Sequence, residues 1–194
     1  MTSEPTLTRD RILATAADVI RRHGPTKATV VDVARALGVS HGSVYRHFDS
    51  KAALREAVVG VWLEEIMPPL AAVVGEAGPA PARLRRWVDR LVAAKRKRAA
   101  DDPELFAAYL TLATDAKTVV RAHVEELVAQ ATAIIADGVG GGAFMAADPA
   151  AAARAVLSAT TRFHHPSHAA EWVDPAIDAA LDDVWKLLMR GLQM

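Results

Sequence analysis

Residues 38–51 read GVSHGSVYRHFDSK. Most of these side chains are polar hydrogen-bonding groups, and only Val39, Val44 and Phe48 have the character of core residues. Val44 and Phe48 are four positions apart, a spacing that places them on one face of a helix. The stretch therefore predicts a short helix that is held to its domain by one apolar face and presents polar groups elsewhere.

The residues just before this stretch predict a second helix, joined to it by a tight turn. Thr29 and Asp32 have the spacing of a capping box, in which each side chain bonds to the other residue's backbone amide. Gly38 can take a positive φ and so end that helix, and Ser40 is a good N-cap for a following helix that ends near His47. The inward-facing residues of the first helix are Val30, Val33, Ala34 and Leu37. The whole pattern is that of a helix-turn-helix.

A helix-turn-helix places the start of its second helix against base edges in the major groove of DNA. His41 and Ser43 carry short polar side chains suited to base contacts, and Gly42 allows the backbone to approach closely. Hydroxyl, imidazole, ammonium and free amide groups around them suit contacts with phosphate. A helix-turn-helix pattern by itself leaves an ordinary helical hairpin open as the alternative. The predicted DNA-binding residues are Thr29, Ser40, His41, Gly42, Ser43, Tyr45, His47 and Lys51.

Charge is distributed unevenly along a chain whose formal net charge is zero. Residues 1–60 carry nine Lys and Arg against six Asp and Glu, and the remainder carries 14 basic against 17 acidic residues. The basic surplus at the start favours contact with a polyanion. The chain has no cysteine, which excludes disulfides and thiolate metal sites. No run approaches the ~20 apolar residues of a membrane span, so we expect a cytoplasmic protein with no membrane partner.

The rest of the chain also predicts helices. Apolar residues recur at i, i+3 and i+4, alanine is abundant, and β-branched alternation is scarce. Proline and glycine punctuate the segments, and residues 138–142 predict an interhelical joint. The predicted fold class is all-α, with further helices over 9–23, 51–67, 81–100, 103–114, 117–136, 149–164 and from 175 to about 190.

Four segments of the first 60 residues resemble the DNA-binding domain of the tetracycline-repressor (TetR) family of bacterial regulators. They are RILATA at 11–16, TVVDVA at 29–34, GVSHGSVYRHF at 38–48 and SKAAL at 50–54. The resemblance implies a homodimer with a helix-turn-helix domain over 1–50 and a helical effector-binding and dimerisation domain over 51–194, connected by helix 51–67. In such a protein His41, Gly42 and Ser43 face bases. Val31 stands where some members carry a basic base-contacting residue, so the operator sequence cannot be transferred.

Two apolar seams near the end of the chain are the candidates for the dimer interface that the resemblance implies. The last helix spaces apolar residues as one face of a helix does, and the helix before it offers small residues that permit close helix approach. Two such helices from each subunit would form a four-helix interface. The alternative is that both seams face their own subunit's core. The predicted interface residues are Val156, Ala159, Phe163, Ile177, Leu181, Val184 and Leu188.

An effector site in the second domain is expected to be apolar with a few polar groups. Tyr109 and His123 are the predicted polar contacts, and the identity of the small molecule is not readable from the sequence. Several of the candidates are expected to be ordinary core residues. The predicted ligand-binding residues are Trp62, Met67, Trp87, Leu91, Phe106, Tyr109, His123, Leu127 and Phe163.

Two further polar clusters have a functional and a structural interpretation. His164, His165 and His168 could bind metal, but adjacent histidines on a helix diverge and no carboxylate joins them at ligand spacing, which favours helix-end contacts. Residues 95–98 read KRKR and could touch DNA, but a solvated helix C-terminus is favoured. We therefore predict no metal and no cofactor.

The sequence as a whole predicts a ligand-responsive transcriptional repressor that binds palindromic operator DNA as a homodimer. We expect no enzyme, because no nucleophile–base pair or paired carboxylates stand out. Two alternatives remain. One is a helical small-molecule-binding protein, and the other is a regulator that acts without an effector or as an activator.

Overall fold

The structure is a computed structural model that describes residues 6–193. Within that range every regular element is a helix, which confirms the all-α prediction. A 3₁₀ turn, Pro166–Glu171, separates the last two α-helices. The α-helices are α1 (Arg9–His23), α2 (Val30–Leu37), α3 (His41–Tyr45), α4 (Lys51–Glu64), α5 (Met67–Val74), α6 (Ala80–Asp101), α7 (Pro103–Ala113), α8 (Lys117–Gly140), α9 (Pro149–Ala159), α10 (Thr161–His164) and α11 (Ile177–Gln193).

The chain forms two compact units that interleave along the sequence. Of the described residues, the first unit contains 6–63 together with Asp102–Arg121, and the second contains Glu64–Asp101 and 122–193. Packing therefore groups α7 with the helix-turn-helix segment. The predicted functional boundary at residue 50 stays a prediction.

The first unit is organised around α1. Ile12, Leu13, Ala16, Val19 and Ile20 are buried along one face of this helix, as its apolar spacing predicts. α1 packs against both α2 and α7.

A bidentate ion pair joins α1 to the start of α7. The Arg21 guanidinium donates to both carboxylate oxygens of Asp102, with Nη2–Oδ2 at 2.6 Å, and Asp102 also caps α7 by accepting from the Leu105 amide. Hydrogen bonding to Asp102 raises the pKa of Arg21. Such a two-bond pair fixes direction as well as distance between the two helices.

In the second unit, side-chain contacts join α6 and α8, which run antiparallel to each other. The indole N–H of Trp87 donates to the side-chain oxygen of Gln130 at 3.0 Å, and Lys95 lies 3.2 Å from His123. Leu91 lies between Trp87 and Lys95 on α6. The contact later in α6, at Lys95, is made to the earlier residue of α8, His123. The two helices therefore run in opposite directions.

Outside the helix-turn-helix, three predicted helix ends differ clearly from the structure. The helix predicted to reach Met67 ends at Glu64, and Met67 instead begins α5, where the prolines that follow fit the first turn. The helix predicted to end at Ala136 runs to Gly140. The helix predicted to reach His164 is divided at Thr160, whose hydroxyl bonds to the Val156 carbonyl and whose backbone leaves the helical region.

Gly138 explains why the joint predicted over 138–142 begins only after Gly140. It is a buried helical residue, and a side chain there would collide with the Phe144 ring and come within 2.8 Å of the Ala80 Cβ. Its glycine serves close packing in the second unit. The turn itself comes at Gly142, which has a φ of 72°.

Among the described residues, no single helix combines the length and apolar character needed to span a membrane. The bent pair of α4 and α5 meets that criterion by length and composition only when both helices are counted together, which core helices of water-soluble proteins also do.

Candidate nucleic-acid interface and interior polar cluster

The start of α2 is fixed by the predicted capping box. The Thr29 hydroxyl accepts from the Asp32 amide at 3.1 Å, and the Asp32 carboxylate accepts from the Thr29 amide at 3.2 Å and from its hydroxyl at 2.6 Å. The hydroxyl hydrogen bond lowers the pKa of the Asp32 carboxyl. Arg35, one turn later, pairs with the same carboxylate at 2.9 Å. This end of α2 is therefore rigid and exposed.

The joint between α2 and α3 depends on one left-handed residue. Gly38 has φ 70° and ψ 26°, and its amide bonds to the Arg35 carbonyl at 3.2 Å. The Val39 amide then reaches the Ala34 carbonyl at 3.0 Å. These two bonds close the C-terminus of α2 as a Schellman-type cap, and the chain leaves it in the direction of α3. The predicted helix-turn-helix is present.

Two buried residues hold α3 to the unit, as the sequence predicts. Val44 is 1% exposed and Phe48 is 3% exposed. The Arg9 guanidinium lies 4.2 Å from the centre of the Phe48 ring, and Arg9 Nη1 donates to the His47 carbonyl at 3.0 Å. Arg9 thus braces the chain after α3 from the start of α1. No local pattern indicated this role, because the two residues are 38 positions apart.

The outward side of α3 is polar, as predicted. His41, Gly42 and Tyr45 are exposed, and the edge of the His41 ring meets the Tyr45 ring at a centroid distance of 6.4 Å. Ser40 caps the helix by accepting from the Ser43 amide at 3.2 Å. A side chain at position 42 would meet only the Ser40 hydroxyl, at 3.8 Å, so the fold of the free protein does not require glycine there.

The remaining predicted DNA-binding residues lie at or just beyond the ends of α2, α3 and α4. α3 ends at Tyr45 rather than His47, because the His47 amide turns back to the Val44 carbonyl in a tighter turn. His47 and Lys51 are half-buried. Thr29 lies at the exposed start of α2, where Val31 is also exposed. All eight predicted residues belong to the first unit.

The predicted ligand-binding residues divide between the two units. Three of them form an aromatic cluster in the first unit. The Trp62 and Tyr109 rings stack with centroids 4.1 Å apart, and Phe106 lies 6.0 Å from Trp62. Burial raises the pKa of Tyr109 to about 12, so the phenol is neutral at neutral pH.

The other six predicted ligand-binding residues belong to the second unit. Trp87, Leu91, Leu127 and Phe163 are buried core residues, whereas Met67 and His123 are half-buried. Of the two predicted polar contacts, Tyr109 belongs to the first unit and His123 to the second.

Lys95 does not lie in the solvated environment that its sequence neighbours predict. The KRKR run predicts a solvated helix end, and Lys97 fits this description because it is exposed and pairs with Asp101. Lys95 is only 4% exposed. The spacing of Lys95 could have predicted its burial. Lys95 follows Trp87 and Leu91 at intervals of four residues, so all three lie on one buried face of α6.

Lys95, His123 and His164 form an interior basic cluster. Lys95 Nζ lies 3.2 Å from His123 Nε2, and α10, which carries His164, packs against α6. Burial lowers the pKa of Lys95 to about 8. Burial, together with the charge of Lys95, lowers the pKa of His123 to about 3 and that of His164 to about 4.

The three histidines raised as possible metal ligands have separate surroundings. His164 Nε2 lies 3.3 Å from the Thr160 hydroxyl, His165 Nδ1 lies 2.7 Å from the Ser167 hydroxyl, and His168 Nδ1 lies 2.7 Å from Glu171. Within residues 6–193, no group of three His, Asp or Glu side chains has the geometry to hold a metal ion.

The predicted interface residues differ in their exposure. Val156, Phe163, Ile177 and Leu181 are buried within the chain itself, with 1–3% of each exposed. This burial fits the alternative in which the inner part of each seam faces its own core. Ala159 is exposed, and Val184 and Leu188 are half-buried. Leu187 was not predicted and is 67% exposed.

Both halves of the chain match known protein families. Residues 12–58 match the family of bacterial regulatory proteins described as the tetR family, and residues 80–185 match the tetracyclin repressor-like C-terminal domain. The transcriptional repressor KstR2 of Mycolicibacterium smegmatis is 37% identical over 62 residues, which are 32% of this chain and 30% of that protein. The chain therefore matches less than a third of the length of this curated relative.

Solved structures agree in fold over nearly the whole chain. A TetR-family transcriptional regulator from Mesorhizobium loti has a TM-score of 0.69 at 18% identity, covering 95% of this chain and 96% of the other. FadR of Bacillus subtilis, in complex with stearoyl-CoA, has a TM-score of 0.65 at 17% identity, covering 95% and 100%. These structural similarities show the fold, and the two family matches show which family the chain is part of. This chain belongs to the TetR family of bacterial transcriptional regulators.

Proposed function

We propose that this regulator is a repressor that binds palindromic operator DNA as a homodimer and is released by a small-molecule effector. The observation that carries the DNA-binding part is the arrangement of α3. Its apolar side is pinned by Val44 and Phe48, and its exposed side presents His41, Gly42 and Tyr45. A short helix held in this way can enter a major groove without rearranging its own domain.

Individual roles follow from position and chemistry. His41 and Ser43 read base edges, and Gly42 lets the backbone approach them. Tyr45, His47 and Lys51 contact phosphate. Thr29 and Ser40 contact phosphate from the starts of α2 and α3, the two helices that they cap.

The homodimer is supported by an apolar surface on α9 and α11, which pack against each other within the chain. Ala155 and Ala159 on α9 are exposed, as is Leu187 on α11, and Val184 and Leu188 beside it are half-buried. We assign these residues to the subunit contact and the buried residues beneath them to its support. A two-fold dimer would present two copies of α3 to half-sites about one DNA turn, ~34 Å, apart.

Repression and release are supported by the relatives. KstR2 is a repressor, and the FadR structure contains stearoyl-CoA. An effector that binds one conformation of the dimer better than the other would shift operator affinity, typically by a coupling free energy of about 1–3 kcal/mol. The other candidate is an effector-independent regulator or activator, for which the α3 surface would look the same.

The test is selection from random double-stranded oligonucleotides by the purified full chain, read by sequencing. We expect an enriched inverted repeat for the wild-type protein and loss of enrichment for Tyr45→Ala. Lys97→Ala, an exposed lysine of the second unit, is the matched control and should select the same repeat. If the wild-type protein enriches no sequence at low salt, the chain is a helical small-molecule-binding protein and the DNA-binding proposal is wrong.

A further inference from the structure

The interior basic cluster of Lys95, His123 and His164 is the feature that DNA binding leaves unexplained. All three residues belong to the second unit, where Lys95 and His164 are buried and His123 is half-buried. Burying an ammonium group costs free energy, and an apolar side chain at position 95 would fill the same face of α6 more cheaply. A buried cation that is retained at such a cost calls for a functional reason.

We infer that this cluster binds the carboxylate group of the effector, and that the effector is an apolar carboxylic acid. The inference rests on the proposed release by a small molecule and specifies its chemical class. Trp87 and Leu91 precede Lys95 on the same face of α6, and Leu127 follows His123 one turn later on α8. An acid bound at Lys95 would therefore have apolar side chains beside its hydrocarbon part.

Hydrogen-bond chemistry at the cluster suits an anion. The Lys95 ammonium is a donor only, so its contact at 3.2 Å makes His123 Nε2 the acceptor and leaves the imidazole proton on Nδ1. His164, with its Nε2 against Thr160, is held close to the same charge. The lowered pKa values keep both imidazoles neutral at pH 7. The cluster thus combines one positive charge with a neutral His123 ring whose Nδ1–H can donate, whereas the ring N–H of His164 is used on the Thr160 hydroxyl.

Charge balance favours a carboxylate over a phosphate. A carboxylate carries one negative charge, which matches the single positive charge of a protonated lysine. A phosphate monoester carries up to two negative charges near neutral pH, so more charge would have to be desolvated. Access is available on the α8 side, because His123 is only half-buried.

The experiment uses calorimetry to measure how tightly the full chain binds three probes that share one carbon skeleton. The probes are a carboxylic acid, its methyl ester and the corresponding alkyl phosphate. Straight-chain, aromatic and polycyclic skeletons are each tested as such a triplet at pH 7. For at least one skeleton we expect the acid to bind about tenfold or more tightly than its ester, as one charge-assisted hydrogen bond allows. The phosphate should bind more weakly than the acid.

Two variants locate the preference. Lys95→Met keeps the length and apolar stem of the side chain and should remove the acid preference, leaving ester affinity unchanged. His123→Gln should also weaken acid binding, to a smaller extent than Lys95→Met. It provides a second test of the site in case Lys95→Met does not fold. Lys97→Met, two positions along α6 and exposed, should leave all affinities unchanged. Thermal melts followed by circular dichroism establish that each variant is folded.

The outcomes separate this inference from the proposed function. Equal affinity for acid and ester with every skeleton, tighter binding of the phosphate, or an acid preference that survives Lys95→Met each overturns the carboxylate site. Addition of the preferred acid to the protein–operator complex then tests release. Lys95-dependent acid binding that leaves operator affinity unchanged would retain the site and reject the effector-response proposal.

Discussion

The α2–α3 segment and the interior basic cluster use similar polar residues in opposite positions. Around α3, serine, histidine and tyrosine face outward while Val44 and Phe48 face the core. At the cluster, Lys95 and His164 face inward among apolar residues. Polar groups on a surface cost little to maintain and are available to a large charged partner, whereas buried ones cost desolvation free energy. The comparison teaches that burial, rather than residue type, distinguishes the surface that we propose for DNA from the site that we propose for a small anion.

The largest expected effect comes from removing the support of α3. Phe48→Ala deletes a ring that is 3% exposed and contacts Arg9, and should lower the free energy of unfolding by about 3 kcal/mol. Urea unfolding followed by circular dichroism measures this. Tyr45→Ala, on the exposed side, should change stability by less than about 0.5 kcal/mol while weakening DNA binding. Equal destabilisation by both changes would mean that the outward face of α3 is part of the core.

The next effect concerns the pH dependence of stability. The pKa of Lys95 is lowered by burial from an ordinary value of 10.5 to about 8 in the folded chain, so between these values the unfolded chain holds more protons. The free energy of unfolding therefore rises with pH from 8 to 10, by about 2 kcal/mol for this group.

Lys95→Met should remove this rise, and it should stabilise the chain most below pH 8. Chemical unfolding at pH 7, 8, 9 and 10 provides the comparison between variant and wild type. Lys97→Met should follow the wild-type profile, because Lys97 is exposed. A Lys95→Met profile parallel to that of the wild type would show that the Lys95 ammonium is not desolvated.

Two glycines of the α2–α3 segment should respond in opposite directions. Gly38→Ala places a side chain at φ 70° and should cost about 1 kcal/mol of stability. Gly42→Ala meets only the Ser40 hydroxyl at an ordinary contact distance and should stabilise the free protein by up to about 1 kcal/mol through helix propensity. If the α3 backbone approaches DNA closely, Gly42→Ala should nevertheless weaken operator binding. Stronger binding by this variant would argue against close approach.

The smallest effect is electrostatic. Lys51→Ala should weaken binding to all DNA sequences and lower the magnitude of the slope of log affinity against log salt by about one unit. Fluorescence anisotropy at several salt concentrations measures the slope. Lys186→Ala, on α11, should leave the slope unchanged. An unchanged slope for Lys51→Ala would remove Lys51 from the phosphate contacts.

The sequence predicted correctly those features that depend on residues close together along the chain, such as helix caps and the apolar face of a single helix. Thr29, Asp32, Gly38 and Ser40 each satisfy a nearby backbone group, so the helix-turn-helix could be predicted to within two residues at the end of α3. Apolar spacing likewise identified the buried face of α1.

Features set by distant contacts were missed. Gly138 lies inside a helix because Phe144 and Ala80 crowd it, and no neighbouring residue signals this. Arg9 supports α3 across 38 positions. Lys95 was assigned to solvent from its charged neighbours, although its spacing from Leu91 and Trp87 on α6 follows the buried stripe.

The interleaving of the first unit has a consequence for how the chain is made. Trp62 stacks on Tyr109, and Arg21 pairs with Asp102, so the helix-turn-helix unit lacks part of its core until α7 has been translated. A nascent chain that has emerged only as far as residue 63 presents this indole without its aromatic partners. We therefore expect the DNA-binding half to reach its native packing late in synthesis, after the ribosome has passed residue 121.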